Sequence, residues 1–208
     1  MKIYVVGGNL HYANFIENAE IVSNLEDAQL IIFTGGEDVS PSMYNCKKHP
    51  KTYCNPARDK KEKSIFDKIN PKTQVCVGIC RGSQFLCCMN GGILVQDVNN
   101  HALSKTHAIV NLLTNKIYEI TSTHHQMQYP FNLNDEDYEI LYTSYANSSD
   151  YYDGDKIDIN KICYAEPEIV LYHKENLPKC LAIQGHPEMI PDSLVAKMIN
   201  SLIKDLIK

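Results

Sequence analysis

The stretch Val77-Gly78-Ile79-Cys80-Arg81-Gly82-Ser83-Gln84-Phe85-Leu86 decides the fold. The apolar run from Gln74 to Ile79 predicts a buried strand, and the apolar segment after Ser83 predicts a helix. Between them stands a Cys with a glycine two residues before it and another two after. This is the cysteine form of the nucleophile elbow, a sharp strand-to-helix turn that lifts one side chain above a sheet. The turn has no room for side chains on its flanks, which explains Gly78 and Gly82. Cys80 then sits at a helix N-terminus, where free N–H groups and the helix dipole favour thiolate over thiol. A sulfur held there can attack a carbonyl carbon.

Free cysteine is more often a packing residue than a reactive one. Eight are present, at 46, 54, 76, 80, 87, 88, 163 and 180, and only Cys80 has the glycine bracket. Cys87 and Cys88, beside Phe85, Leu86 and Met89, are expected in the core, as is Cys76 on the strand.

Outward from the elbow, Lys2–Val6, Leu30–Phe33, Ile93–Gln96 and Cys180–Gln184 read as further strands. His11–Ala19 and Ala57–Ile69 read as helices, and the proline-rich segment 37–56 as a long loop. Alternation between Ala108 and Tyr142 predicts antiparallel strands, and Ile162–Ala165 with Ile169–His173 predicts a hairpin. Asn147–Asp158 is a polar turn region. Asp192 is expected to cap a last helix with apolar positions at Leu194, Val195, Met198, Ile199, Leu202 and Ile203. Strands alternating with helices indicate an α/β sheet with its chemistry at the carboxyl ends of the strands.

The chain has 208 residues, 44% of them apolar and 22% charged, and is expected to form one domain over residues 1–208. Neither a signal-peptide layout nor a membrane-spanning run is seen. Cysteines in such a chain are expected to be reduced thiols of a cytoplasmic protein. Cys46, His49 and Cys54 are a loose cluster without zinc-knuckle spacing, and neither metal nor cofactor is expected. A net charge of −5 without a basic stripe excludes nucleic acid as the main partner. Only two of the 20 basic residues are Arg, Arg58 and Arg81, which points to forked contacts that Lys cannot make.

A thiol nucleophile needs a base, and the base needs a group that holds its tautomer. Gln184-Gly185-His186-Pro187-Glu188 offers both just past a strand end. In an extended segment His186 and Glu188 share a side, so Cys80, His186 and Glu188 are expected to form a triad. The N–H of Arg81 is the natural first oxyanion donor. Gly35-Gly36, at the end of another strand, lets backbone approach a ligand.

Three blocks, Phe33-Thr34-Gly35-Gly36, Gly78-Ile79-Cys80-Arg81-Gly82-Ser83-Gln84 and Gln184-Gly185-His186-Pro187-Glu188, resemble the signatures of class I glutamine amidotransferase domains. Four further features resemble the γ-glutamyl-γ-aminobutyrate hydrolase branch. These are residues 35–41 with Tyr44, Arg58-Asp59-x-x-Glu62, Gly91-Gly92 with Gln96-Asp97, and Ser122-Thr123-His124-His125-Gln126. The resemblance implies a three-layer flavodoxin-like sandwich, with helices on both faces of a mostly parallel sheet and a small antiparallel addition. It implies attack by Cys80 on a γ-glutamyl amide, a glutamyl thioester, proton transfer by His186 and orientation by Glu188. The N–H groups of Gly36 and Arg81 would hold the oxyanion. Gly35, Gln84, His124, His125 and Gln126 would hold the glutamyl group. Arg58, Asp59 and Glu62 match a family motif without an assignable role; a helix-anchoring ion pair is an equal reading. Thr34 stands where proline is common, so an altered oxyanion loop is expected.

The expected partner is a small γ-glutamyl substrate or glutamine. A separate synthetase that receives ammonia is the alternative, and an idle binding or regulatory protein is the third reading. Membrane and nucleic acid are not expected partners, and a homodimer is compatible. The group carried by the γ-glutamyl moiety is not legible.

Overall fold

The computed structural model describes residues 1–162 and 166–208. Its strands and helices in chain order are β1 (Lys2–Val5), β2 (Glu20–Ile21), β3 (Leu30–Phe33), α1 (Pro56–Phe66), β4 (Val75–Ile79), α2 (Arg81–Met89), β5 (Ile93–Val95) and β6 (Asp97–Val98). There follow β7 (Ala102–Asn111), β8 (Ile117–Thr123), β9 (Met127–Tyr129), β10 (Tyr138–Ser144), β11 (Tyr152–Asp153), α3 (Ile159–Ile162), β12 (Pro167–Tyr172), β13 (Cys180–Ile183) and α4 (Leu194–Ile207).

Nine strands form one sheet in the order β2-β1-β3-β4-β13-β12-β10-β7-β8. The first five run parallel, in the doubly wound order of flavodoxin-like sheets. From β13 onward every pairing is antiparallel. The fold is thus the expected three-layer α/β sandwich, with an antiparallel extension that makes up four of the nine strands.

Every residue of β3, β4 and β13 is buried, because helices cover both faces of the parallel half. Ile31, Phe33, Cys76 and Ala182 pack with Phe66 of α1 and Phe85, Leu86 and Cys87 of α2. Leu30, Ile32, Val77, Ile79, Leu181 and Ile183 face the other way, toward Val195, Ile199 and Ile203 of α4. Alternation along each strand feeds both layers.

Several local expectations are corrected. His11–Ala19 is not a helix; only a 3₁₀ turn at Leu10–Ala13 forms, capped by Asn9. Segment 37–55 is a loop apart from a 3₁₀ turn at Pro41–Tyr44 and a bridge between Asp38 and Cys54, and α1 begins at Pro56, one residue early. α1 ends at Phe66, three residues early. The cap of α4 is Ser193, whose hydroxyl accepts the Ala196 N–H at 3.1 Å, not Asp192. Leu194 consequently falls on the outer side and is 74% exposed. Ile162 belongs to α3, while residues 163–165 of the expected hairpin lie outside the described residues. β12 instead pairs with β13 and β10.

Candidate active site

β4 and β13 are neighbours with Ile79 opposite Ile183. Cys80 and the segment after Ile183 therefore leave the same edge of the sheet side by side, and the Cys80 N–H donates to the Ile183 carbonyl at 2.8 Å. The elbow is tight. A Cβ on Gly78 would run into the Gly82 carbonyl, and one on Gly82 into the Phe33 carbonyl of the adjoining strand. Cys80 itself has φ 54° and ψ −113°, a conformation that L-residues other than glycine seldom adopt. Its carbonyl accepts from the Ser83 N–H at 2.9 Å and the Ser83 hydroxyl at 2.6 Å, which fastens the turn to α2.

His186 is buried beside it, anchored by its N–H to the Thr121 hydroxyl of β8 at 2.7 Å. The segment is not extended as expected. A 3₁₀ turn at Pro187–Met189 begins directly after His186 and folds Glu188 back. Glu188 Oε1 then lies 2.6 Å from His186 Nδ1. The Glu188 carbonyl is held by Asn14 Nδ2 at 3.1 Å. Burial works against a charged imidazole, yet the Cys80 sulfur and the Glu188 carboxylate, acting as acceptors for its N–H groups, push His186 up to about 10. Of the expected triad, His186 and Glu188 are joined by a hydrogen bond, and Cys80 stands close enough to raise the imidazole.

The glycine loop after β3 packs against this group. A Cβ on Gly35 would lie 3.3 Å from His186 Cε1 and 2.7 Å from the Tyr12 hydroxyl. Arg58 of α1 grips the loop, donating through Nη2 to the Gly35 carbonyl at 2.9 Å and to the Thr34 carbonyl and hydroxyl at 3.2 Å each. Thr34, in place of proline, thus supplies a hydroxyl to the clamp. Across a trans peptide the C=O and the next N–H point opposite ways, so tying the Gly35 carbonyl to Arg58 aims the Gly36 N–H to the other side. Gly36 has φ 138°, and a Cβ there would strike the Arg58 guanidinium. Neither the Gly36 nor the Arg81 N–H has a hydrogen-bond acceptor among the described residues.

The unassigned motif on α1 now has a physical role. Arg58 Nε binds Glu62 Oε1 at 2.8 Å, and the Arg81 guanidinium is clasped between Asp59 and Glu62. Arg81, Asp59 and Glu62 are all buried. Both arginines of the chain therefore join α1 to the loops around Cys80, one at the elbow and one at the glycine pair.

Tyr12, not singled out in the sequence, also belongs here. Burial raises its phenol, Glu188 and Cys80 add to the rise, and a hydrogen bond from the Gly35 backbone opposes it. The usable signal was position, since Tyr12 follows the carboxyl end of β1, next to β3. A cavity of about 550 Å³ lies against Tyr12, Gly35, Thr34 and Arg58. It touches these neighbours of His186 without reaching Cys80 or His186, which are 9% and 6% exposed.

Of the expected substrate-holding residues, Gln84 and Gln126 belong to a buried polar layer, while His125 is partly exposed. Gln84 Nε2 donates to the Gln126 carbonyl at 2.9 Å, and Gln126 Nε2 donates to Thr52 Oγ1 and the Gln96 carbonyl, both at 3.1 Å. His125 binds Asp38 Oδ1 at 3.1 Å, and this hydrogen bond raises its imidazole. His124 points elsewhere: it is buried and its ring lies tilted against His101 with centroids 4.6 Å apart. Cys46, His49 and Cys54 do not share a ligand geometry; Cys46 contacts the Asp155 carbonyl and His49 pairs with Asp153.

The chain is similar to solved structures across its length. A Thermoplasma acidophilum protein assigned to GMP synthase superposes with TM-score 0.61 at 16% identity, over 100% of this chain and 92% of that one. The glutaminase domain of Trypanosoma brucei CTPS gives TM-score 0.55 at 10% identity over 99% of this chain and 92% of that one. At these identities the likeness concerns the fold. In sequence, the glutamine amidotransferase-like protein YvdE of Lactococcus lactis subsp. lactis is 26% identical over 178 residues, 83% of this chain and 72% of that protein. Protein NtpR of Enterococcus hirae is 31% identical over 78 residues, and the YvdE homolog of Lactococcus lactis subsp. cremoris 31% over 112. The matches span 33% and 57% of those two relatives. The Peptidase C26 family model matches residues 10–132, which include Gly35, Cys80 and His124–Gln126 and stop short of His186. That match covers more than half of the chain, which therefore belongs to the Peptidase C26 family.

Proposed function

We propose that the protein hydrolyses γ-glutamyl amides through Cys80, with residues 1–208 working as one catalytic domain. The observation that carries this reading is the 2.6 Å His186–Glu188 hydrogen bond beside the elbow of Cys80, whose N–H is tied to Ile183 at the strand exit that leads to His186. His186 takes the thiol proton, and the sulfur attacks the γ-carbonyl carbon. The oxyanion is held by the N–H groups of Gly36 and Arg81. His186 gives its proton to the nitrogen as the C–N bond breaks, which leaves a glutamyl thioester and a free amine or ammonia. Water, deprotonated by His186, then cleaves the thioester to glutamate and restores the thiol.

In this reading Glu188 keeps the proton on Nδ1 so that the other ring nitrogen serves the sulfur. Gly35, Gln84, His125 and Gln126 shape the glutamyl pocket, with Arg58 and Tyr12 setting the oxyanion loop; His124, packed against His101, supports Gln126 from behind. A working thiolate requires reducing surroundings, so we place the protein in the cytoplasm.

The test is glutamate release by the purified protein from a panel of γ-glutamyl amines and glutamine. The expected result is turnover of at least one γ-glutamyl amine, lost in Cys80→Ala with an unchanged circular dichroism spectrum. Undiminished turnover in Cys80→Ala overturns the reading. Glutamine hydrolysis that begins only on adding a synthetase chain assigns the same site to ammonia delivery.

A further inference from the structure

The antiparallel half of the sheet holds a second group of titratable side chains that the proposed reaction does not use. His101 directly precedes β7, His107 lies within β7, and Glu168 lies in β12. β10 stands between these strands but pairs with β7 only over Tyr142–Ser144. The side chains of His101 and Glu168 are 0% exposed and that of His107 is 12% exposed. Each of the three brings a donor atom within 4.8 Å of the other two.

Hydrogen-bond accounting separates Glu168 from its neighbour Glu166. The Glu166 carboxylate accepts from the Ser148 and Ser149 N–H groups at 3.0 Å each and from the Tyr152 hydroxyl at 2.8 Å. Among the described residues, neither oxygen of Glu168 and neither ring nitrogen of His107 has a hydrogen-bond partner in good alignment, the two side chains meeting only as an ion pair. Yet Glu168 Oε1 lies 3.2 Å from His107 Nε2 and 4.0 Å from His101 Nδ1. The closer pair is therefore near but misaligned for N–H···O. Two donors placed so are what a shared central atom produces, since ligands about 2.0–2.1 Å from a tetrahedral ion lie about 3.3 Å apart. Buried polar groups are seldom left orphaned without an ion or water to satisfy them. Two fully buried carboxylates also call for a compensating positive charge.

We propose that His101, His107 and Glu168 bind one divalent transition-metal ion, with zinc the best match to two imidazoles and a carboxylate. Glu166 Oε2, 3.3 Å from His101 Nε2, orients that ring from behind, as carboxylates do for metal-bound imidazoles. The Ser122 hydroxyl donates to the His101 carbonyl at 2.6 Å and its oxygen lies 3.4 Å from His101 Nδ1; in the metal-bound site the ring carries its proton on Nε2, facing Glu166, and offers Nδ1 to the ion. His124 packs its ring against His101, its Nδ1 donates to the Gln126 carbonyl at 3.0 Å, and its buried Nε2 has no hydrogen-bond partner among the described residues. The Gln184 N–H donates to the Glu168 carbonyl at 2.8 Å, two residues before His186. The ion thus braces β7 to β12 behind the strand exit that carries His186. The site stands independently of the reaction assigned to Cys80.

The test is metal analysis of the intact chain purified without chelator. About one zinc per chain is expected, with X-ray absorption showing N/O neighbours at about 2.0–2.1 Å and no sulfur at about 2.3 Å. Chelation lowers Tm and added zinc restores it. His107→Ala and the nearly isosteric Glu168→Gln lose the metal, Glu166→Gln binds it about 10–100-fold more weakly, and Cys46→Ala retains it. A metal-free chain whose Tm ignores added zinc overturns the proposal. So does sulfur in the coordination shell, or zinc that persists in Glu168→Gln.

Discussion

The backbone of Cys80 is held at φ 54° and ψ −113°, which costs on the order of 1–3 kcal/mol for a residue with a Cβ. Cys80→Gly relieves that strain, so thermal denaturation of this variant is expected at or above the wild-type Tm while turnover vanishes. A clear fall in Tm contradicts the strain argument. Cys87, fully buried with its thiol pushed up to about 12 by desolvation, is the opposite case. Cys87→Ala is expected to lower stability by about 1–2 kcal/mol and to leave kcat near the wild-type value. His186 supplies a pH signature. Its folded value is raised from 6.5 to about 10, so the stability it contributes is complete below about pH 6.5 and is lost as pH rises through about 10. The Tm difference between wild type and His186→Gln should therefore shrink between those limits; a difference that grows contradicts the thiol–imidazole–carboxylate grouping. The elbow and the His-Pro-Glu segment were legible in the sequence because each packs its chemistry into a few adjacent positions. Tyr12 was not, since nothing local marks a tyrosine that acts through a contact with a loop more than 20 residues away.

Helix α1 acts as a bracket for the site. It presents Arg58 to the glycine loop, and Asp59 with Glu62 to the guanidinium of Arg81. Glu62→Ala leaves Arg81 buried with half of its compensation, and a loss of about 3–5 kcal/mol is expected from denaturant unfolding. Arg58→Lys keeps the charge but cannot fork between Thr34, Gly35 and Glu62. For this variant kcat is expected to fall by up to about 10²-fold with a much smaller change in KM. Equal effects on both parameters would mean that Arg58 binds substrate and does not position the loop. The motif itself stood out in the sequence, but its role depends on partners in two other loops. Caps show the same limit at smaller scale: Ser193 caps α4, although its neighbour Asp192 has an equally suitable side chain.

At the scale of the molecule, the proposed site rests on the pairing of β4 with β13, strands about a hundred residues apart in the chain. Local pattern predicts each strand but not that they adjoin, because apolar runs covered on both faces carry no partner information. The antiparallel half was underestimated for a related reason: its β7–β8 and β10–β12 ladders pair residues whose partners are chosen by the sheet. The His101, His107 and Glu168 group illustrates this most clearly, since its members come from strands that only the tertiary structure brings together. The most direct measurement of the central claim is peptide-resolved mass spectrometry after exposure to a glutamine-mimicking electrophile. The account predicts a single adduct on Cys80, strongly slowed in His186→Gln and unaffected by Cys46→Ala. Labelling that spreads over other cysteines, or that proceeds at the same rate without His186, contradicts it.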